Sequence, residues 1–205
     1  LLRNRVFRCL ALGSGFHTFV TYGQGNWTAP FLGRVHGMSS GEIGSWLALL
    51  SIGPALVGML AGGWLADRLA RVRPHGRIEI AIASIALMIP FEIGGFGARD
   101  ATIALIVFIG TFFFAGVYLP ATIAEAHAHV PARTRASASA LLMLSINLIG
   151  LGLGPLVAGV LSDRWAGLGA EGLRYALLAL IPAQLLALVF FLRARAHARR
   201  ARGSA

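Results

Sequence analysis

Gly63-Trp64-Leu65-Ala66-Asp67-Arg68 closes one long apolar run of this chain, and Gly159-Val160-Leu161-Ser162-Asp163-Arg164 closes another, 96 residues further on. Both copies read Gly-x-Leu-x-Asp-Arg, and both stand where a hydrophobic stretch meets charge. The runs they terminate are long enough to decide the fold, because about 20 residues at 1.5 Å rise cross a hydrocarbon core roughly 30 Å thick. Working outward from the two copies, six such runs are found, at about 10–32, 43–66, 78–96, 101–124, 138–161 and 175–192. No long strand-like alternation competes with them, and backbone groups in lipid must be satisfied within a helix or a closed barrel. The expected fold is an all-α membrane protein, a single six-helix transmembrane bundle over 1–205 with a basic tail at 193–205.

Composition agrees: of 205 residues 57% are hydrophobic and 13% charged, which excludes an ordinary soluble domain. A net charge of +10 would suggest nucleic acid in a soluble protein, but here the arginines sit between apolar runs and read as topology signals. Fourteen of the 18 fall on one side: Arg3, Arg5 and Arg8, then Arg68, Arg71, Arg73 and Arg77, then Arg133 and Arg135, then five from Arg193 to Arg202. Arg34, Arg99, Arg164 and Arg174 fall on the other. The positive-inside rule therefore puts both termini in the cytoplasm. With this topology the two Gly-x-Leu-x-Asp-Arg copies leave the membrane on opposite sides, as an inverted repeat of three plus three helices requires.

Cys9 is the only cysteine, so no internal disulfide can form. The chain opens on Leu1 rather than Met and lacks a signal-peptide pattern, so upstream sequence is expected. The tryptophans, Trp27, Trp46, Trp64 and Trp165, stand at predicted helix ends, where indole rings favour the headgroup level. Each predicted helix holds one proline (Pro30, Pro54, Pro90, Pro120, Pro155, Pro182), and Gly58 and Gly62 form a small-xxx-small pair. Such kinked, closely packed helices suit a protein that moves, and a static bundle can show them too.

Gly63-x-x-x-Asp67-Arg68-x-x-Arg71-x-Arg73 resembles the signature that follows the second helix of each half of the major facilitator superfamily, with Ala70 where that signature has glycine. The stretch Gly150 through Gly154-Pro155 to Gly159 resembles the superfamily's glycine-proline helix. Val130-Pro131 through Arg135, Asn147 through Gly150, and the opening segment from Tyr22-Gly23 to Ser39 are similar to bacterial spinster-like members. The resemblance implies helices seven to twelve of a twelve-helix secondary transporter in the bacterial inner membrane. The implied partners are an N-terminal six-helix half or a second copy of the chain, membrane lipids, and a small or lipid-like solute. It also implies a gating role for Gly63, Asp67, Arg68, Arg71, Gly154, Pro155, Gly159, Asp163 and Arg164, in which the signature carboxylate latches onto a helix N-terminus of the other half. A topology-setting charge cluster is the plain alternative.

Polar side chains in spanning helices usually face a partner helix or a watery cavity. His17, Thr21, Gln24 and Thr28 share one face of the first helix, flanked by Tyr22 and Asn26. Thr111, Tyr118, Thr122, Glu125 and His129 share one face of the fourth. The candidate substrate-cavity residues are therefore His17, Thr21, Tyr22, Gln24, Asn26, Thr111, Tyr118 and Glu125, with hydrogen bonding between helices as the alternative use. Glu92 is expected to reach headgroups, with coupling-ion chemistry as the alternative, and Asn147 to bond between helices. Glu125 and His129 share a face while His127 points away, so no metal site is expected. No cofactor is expected either. A membrane enzyme lacks its motifs here: Gly13-Ser14-Gly15 has only His17 nearby, and there is no HExxH. A non-transporting assembly module or truncated product is the remaining alternative to a transporter.

Overall fold

The computed structural model describes residues 1 and 3–203. Its helices are α1 (Arg5–His36), α2 (Ser40–Val72), α3 (Gly76–Gly97), α4 (Ala101–Ala128), α5 (Arg135–Ser145), α6 (Gly154–Arg164), α7 (Ala170–Leu178) and α8 (Pro182–Gly203). A π-helix, Ile146–Leu153, joins α5 to α6, so that these three pieces make one continuous rod. Short 3-10 turns at Ala132–Thr134 and Ala166–Leu168 lead into the last two crossings.

Among the described residues five stretches are long and apolar enough to cross a membrane: Ser40–Val72, Gly76–Gly97, Ala101–Ala128, Ala132–Arg164 and Ala170–Arg200. α1 is not among them, although its 32 residues span about 48 Å. It nevertheless runs the full depth of the bundle. Val6, Phe7 and Leu10 join the core at the end that holds Ala66, Ile78, Ala126 and Ala198, while Phe31 and Leu32 join the core at the opposite end with Ile43, Phe96 and Leu173. Both ends of the described chain and the α2–α3 and α4–α5 connections meet at the first of these ends.

Local signals fix where helices start and stop. Asn4 Oδ1 accepts from the Phe7 amide at 3.2 Å, and Ser39 with Glu42 forms a reciprocal capping box on α2. Gly37 takes φ 69°, the left-handed conformation that glycine adopts without penalty, so only three residues separate α1 from α2.

The packing follows a pseudo-twofold order: α2 lies along α4 as the α5–π–α6 rod lies along α1, and α3 lies on α4 as α8 lies on α1. Two glycine seams make the close approaches possible. A Cβ on Gly58 would strike the Phe113 carbonyl of α4, and one on Gly154 would strike the Phe19 carbonyl of α1. Gly58 and Gly154 stand 96 residues apart, the spacing of the Asp-Arg motifs.

The sixth crossing is broken. Proline has no N–H to continue the ladder, and α7 stops at Leu178, four residues before Pro182. Beyond 192 the chain does not become a loose tail: α8 continues as helix to Gly203, with Ala194 and Ala198 buried against the bundle. The last two residues of the expected tail lie outside the described residues.

Candidate substrate cavity and gating motif

The polar stripe of α1 turns inward, onto the helices of its own bundle. Thr18 Oγ1 bonds the Ser14 carbonyl at 2.8 Å and reaches the Ile146 carbonyl, at the start of the π-helix, at 3.3 Å. Gln24 Nε2 donates to the Leu177 carbonyl at 3.2 Å, next to the break before Pro182. Trp27 Nε1 donates to the Pro155 carbonyl at 3.0 Å, and Ser145 Oγ of α5 donates back to Ala11 at 2.7 Å. Each irregular piece of the fifth and sixth crossings thus finds a side chain on α1, which is how broken helices stay satisfied away from water. These polar groups also account for the lower hydropathy of α1.

His17 and Gln24 are enclosed, Thr21 is half-buried, and Tyr22 and Asn26 are exposed, with Asn26 bonding its own helix at the Tyr22 carbonyl (2.9 Å). His17 Nδ1 faces Gln184 Oε1 at 3.1 Å, and Gln184 Nε2 donates to Glu92 Oε1 at 3.2 Å. Tyr118 lays its ring 4.0 Å from the imidazole. Glu92 does not reach headgroups as expected: it is 0% exposed, because its face of α3 turns toward α1 and α8. Gln184, absent from the expected site residues, stands out in the sequence as a lone amide in an apolar run two residues after Pro182.

The two stripes meet at a small cavity of about 100 Å³ between α1, α3 and α4. Thr21, Gln24 and Thr28 line it from α1, Met88 and Phe96 from α3, and Thr111 from α4. Its half-buried rim includes Thr21 and Thr111, and its floor is mainly apolar. A handful of hydroxyl and amide groups over an apolar floor suits part of an amphipathic solute.

Glu125 lies away from this cavity, at the arginine-rich end. It is buried, pairs with His129 Nδ1 at 3.6 Å, and borders a second, polar cavity of about 250 Å³ with Arg77 and Pro74. His127 turns to Ser139 of α5 at 2.7 Å. Among the described residues no group of three His, Cys, Asp or Glu side chains could hold a metal. At the same end Asp67 is exposed and meets Arg77 at 3.5 Å, Arg68 lies over the Trp64 ring at 5.1 Å, and Arg71 is exposed. Gly63 has nothing near its would-be Cβ, whereas Gly159 packs against Trp27. Pro155 sits at the start of α6, and Asp163 and Arg164 are exposed at the opposite end.

Trp27 is half-buried and donates to the Pro155 carbonyl, so it also ties α1 to α6. Two further side chains make contacts that the sequence did not indicate. Asn147 donates to the Met143 carbonyl of its own rod at 2.8 Å, where the π-helix begins, and among the described residues makes no bond between helices. Arg174, read as a topology charge, is buried and caps the end of α3 through the Gly97 and Ala98 carbonyls at 2.9 and 2.7 Å.

The sequence from residue 10 to 205 matches the family model of the Major Facilitator Superfamily. The chain belongs to the major facilitator superfamily. An MFS-type efflux pump of Mycolicibacterium smegmatis is 32% identical over 202 residues, which are 98% of this chain and 47% of the pump. A bacterial homologue of the human lysosomal transporter Spinster, in its inward-facing, unoccupied conformation, superposes with a TM-score of 0.80 at 28% identity, over 94% of this chain and 48% of its own. The proton:xylose symporter XylE shares the fold at a TM-score of 0.66 and 17% identity, with 92% of this chain and 44% of XylE covered. The chain therefore spans about half the length of the relatives it matches, and its fold is that of half a major facilitator transporter. Membership of this family, rather than a missing motif, sets the membrane-enzyme reading aside.

Proposed function

We propose that this chain forms the C-terminal six-helix half of a secondary transporter, which moves a small, amphipathic and lipid-like organic solute by alternating access, linked to protons. In this reading it pairs with an N-terminal half or a second copy, both termini lie in the cytoplasm, and the membrane is a bacterial inner membrane. The observation that carries it is the cavity between α1, α3 and α4, with the hydroxyls of Thr21 and Thr111 above an apolar floor, in a chain half as long as its transporter relatives. The likeness to a Spinster homologue supports a lipid-like solute, and the exposed Asp67-Arg68-x-x-Arg71 cluster supports a latch against another half. Under this reading Tyr22 and Asn26, exposed on α1, face the central passage, His17 and Tyr118 brace it from inside the bundle, and Glu125 acts near the cytoplasmic mouth.

The deciding experiment expresses the full product of the gene that encodes this chain and measures uptake of a labelled lysolipid into proteoliposomes. Uptake that falls when Thr21 and Thr111 are both changed to Val, with membrane insertion unchanged, is the expected result. Unaltered uptake by that double variant removes the cavity from the solute path. A product that moves no solute gives way to the assembly-module reading.

A further inference from the structure

Among the described residues Glu92 makes no ion pair. Its Oε1 accepts from Gln184 Nε2, and its buried Oε2 has no hydrogen-bond partner among them. The groups that face this chain from the neighbouring helices are few: His17 from α1, the Tyr118 ring from α4 and the Gln184 amide from α8. Arg174 of α7, the nearest arginine in sequence to the break, is engaged by Glu171 and by the Gly97 and Ala98 carbonyls. A lone carboxylate anion in such a place is costly, so the enclosed site favours an added positive charge or a neutral acid.

Gln184 suits a site that exists in two proton states. With Glu92 ionised, the amide N–H donates to the carboxylate and the amide oxygen accepts from His17 Nδ1–H. With Glu92 protonated, a half-turn of the amide lets its oxygen accept from the acid and its N–H donate to the bare Nδ1 of the other imidazole tautomer. Every hydrogen bond is kept in both. A metal cation would instead need several oxygens around it, and the groups that meet Glu92 are an amide N–H and, beyond it, an imidazole.

Access is short. Met88 and Phe96, which line the cavity, stand one helical turn before and after Glu92 on the same face of α3. We propose that Glu92, Gln184 and His17 form a one-proton site, loaded from the α1–α3–α4 cavity, that ties solute movement to proton movement. On loading, a hydronium ion from the cavity gives its proton to the Glu92 carboxylate and becomes water, and a water molecule takes the His17 Nδ1 proton as another proton is returned at Nε2, so that the site gains one proton net and can then be occluded. On release the O–H bond breaks and the proton passes to water on the other face. Glu92 binds the proton, and His17 and Gln184 are positioning residues.

The coupling half of this inference rests on the transporter reading, and the proton site itself does not. In nanodiscs, infrared difference spectra of the chain between acid and alkaline buffer should contain a protonated-carboxyl band that Glu92→Gln removes and Gln184→Leu displaces. Persistence of the same band in Glu92→Gln, or its absence from the wild type, overturns the site, as does an equal spectral change on adding sodium at fixed pH. In proteoliposomes with the full gene product, a one-unit pH gradient supports about tenfold accumulation at one proton per solute, and Glu92→Gln should bring that ratio to about one. A variant that stays gradient-sensitive overturns the coupling. If the wild type moves no solute, the transport reading falls and the infrared result still decides the site. Gln184→Leu, which leaves Glu92 in place, keeps the test open if Glu92→Gln does not fold.

Discussion

Gln24 of α1 holds a carbonyl that belongs to another helix, Leu177, beside the break before Pro182. Gln24→Leu keeps the volume and removes the donor, and should cost about 1–2 kcal/mol in reversible unfolding from mixed micelles. An unchanged midpoint would mean that the break is satisfied without α1. His36 offers a pH test at the opposite end. Burial pushes its imidazole below its ordinary value of 6.5, and the neighbouring Arg174 adds to the shift against weaker pulls from Asp100 and Glu171. Because the folded state resists protonation there, the contribution of His36 is complete above pH 6.5 and declines as pH falls below it. Thermal midpoints of His36→Phe, which keeps the edge contact with Phe31 as a ring contact, should depend less on pH across that window than those of wild type.

At the scale of helices, the glycine seams separate close packing from mere flexibility. Gly58→Leu forces α2 off the Phe113 carbonyl and should destabilise the bundle by about 1–3 kcal/mol, whereas Gly53→Ala, five residues earlier in open space, should be neutral or slightly stabilising. Equal effects in unfolding experiments would show that the seam does not set the α2–α4 distance. Long hydrophobic runs made the crossings legible in the sequence, and the Gly58–Gly62 pair was legible as a contact, since a Cβ at either position would meet the backbone of α4. What periodicity could not tell was which neighbour a polar face meets. The stripe from His17 to Thr28 was sound as a stripe, but a helix wheel carries no information on whether Gln184 or open water lies opposite. Pro182 marked a kink in the sixth crossing, but the π-helix and the partners of the break were hidden, because their polar groups are met by α1, more than a hundred residues away.

On the scale of the whole bundle, the arginine-rich end is drawn together by one carboxylate. Glu79 of α3 takes Arg195 at 2.8 Å, Arg73 at 3.6 Å and Arg199 at 4.0 Å, binding the end of α8 to the α2–α3 turn. Glu79→Gln should speed hydrogen exchange in α8 beyond residue 193 and leave α4 unchanged. Uniform protection in both proteins would show that apolar packing of Ala194 and Ala198 suffices. This cluster was half legible: the arginine count marked the end, and nothing in the count distinguished Glu79, which gathers three guanidinium groups, from Asp67, which meets one. Because α8 stays packed and clamped to the bundle beyond residue 192, it behaves as a rigid pointer. A spin label at the exposed Ala196 would turn with the bundle as a rigid body, so distances measured from it would report the rocking angle of this half and little of its own wobble.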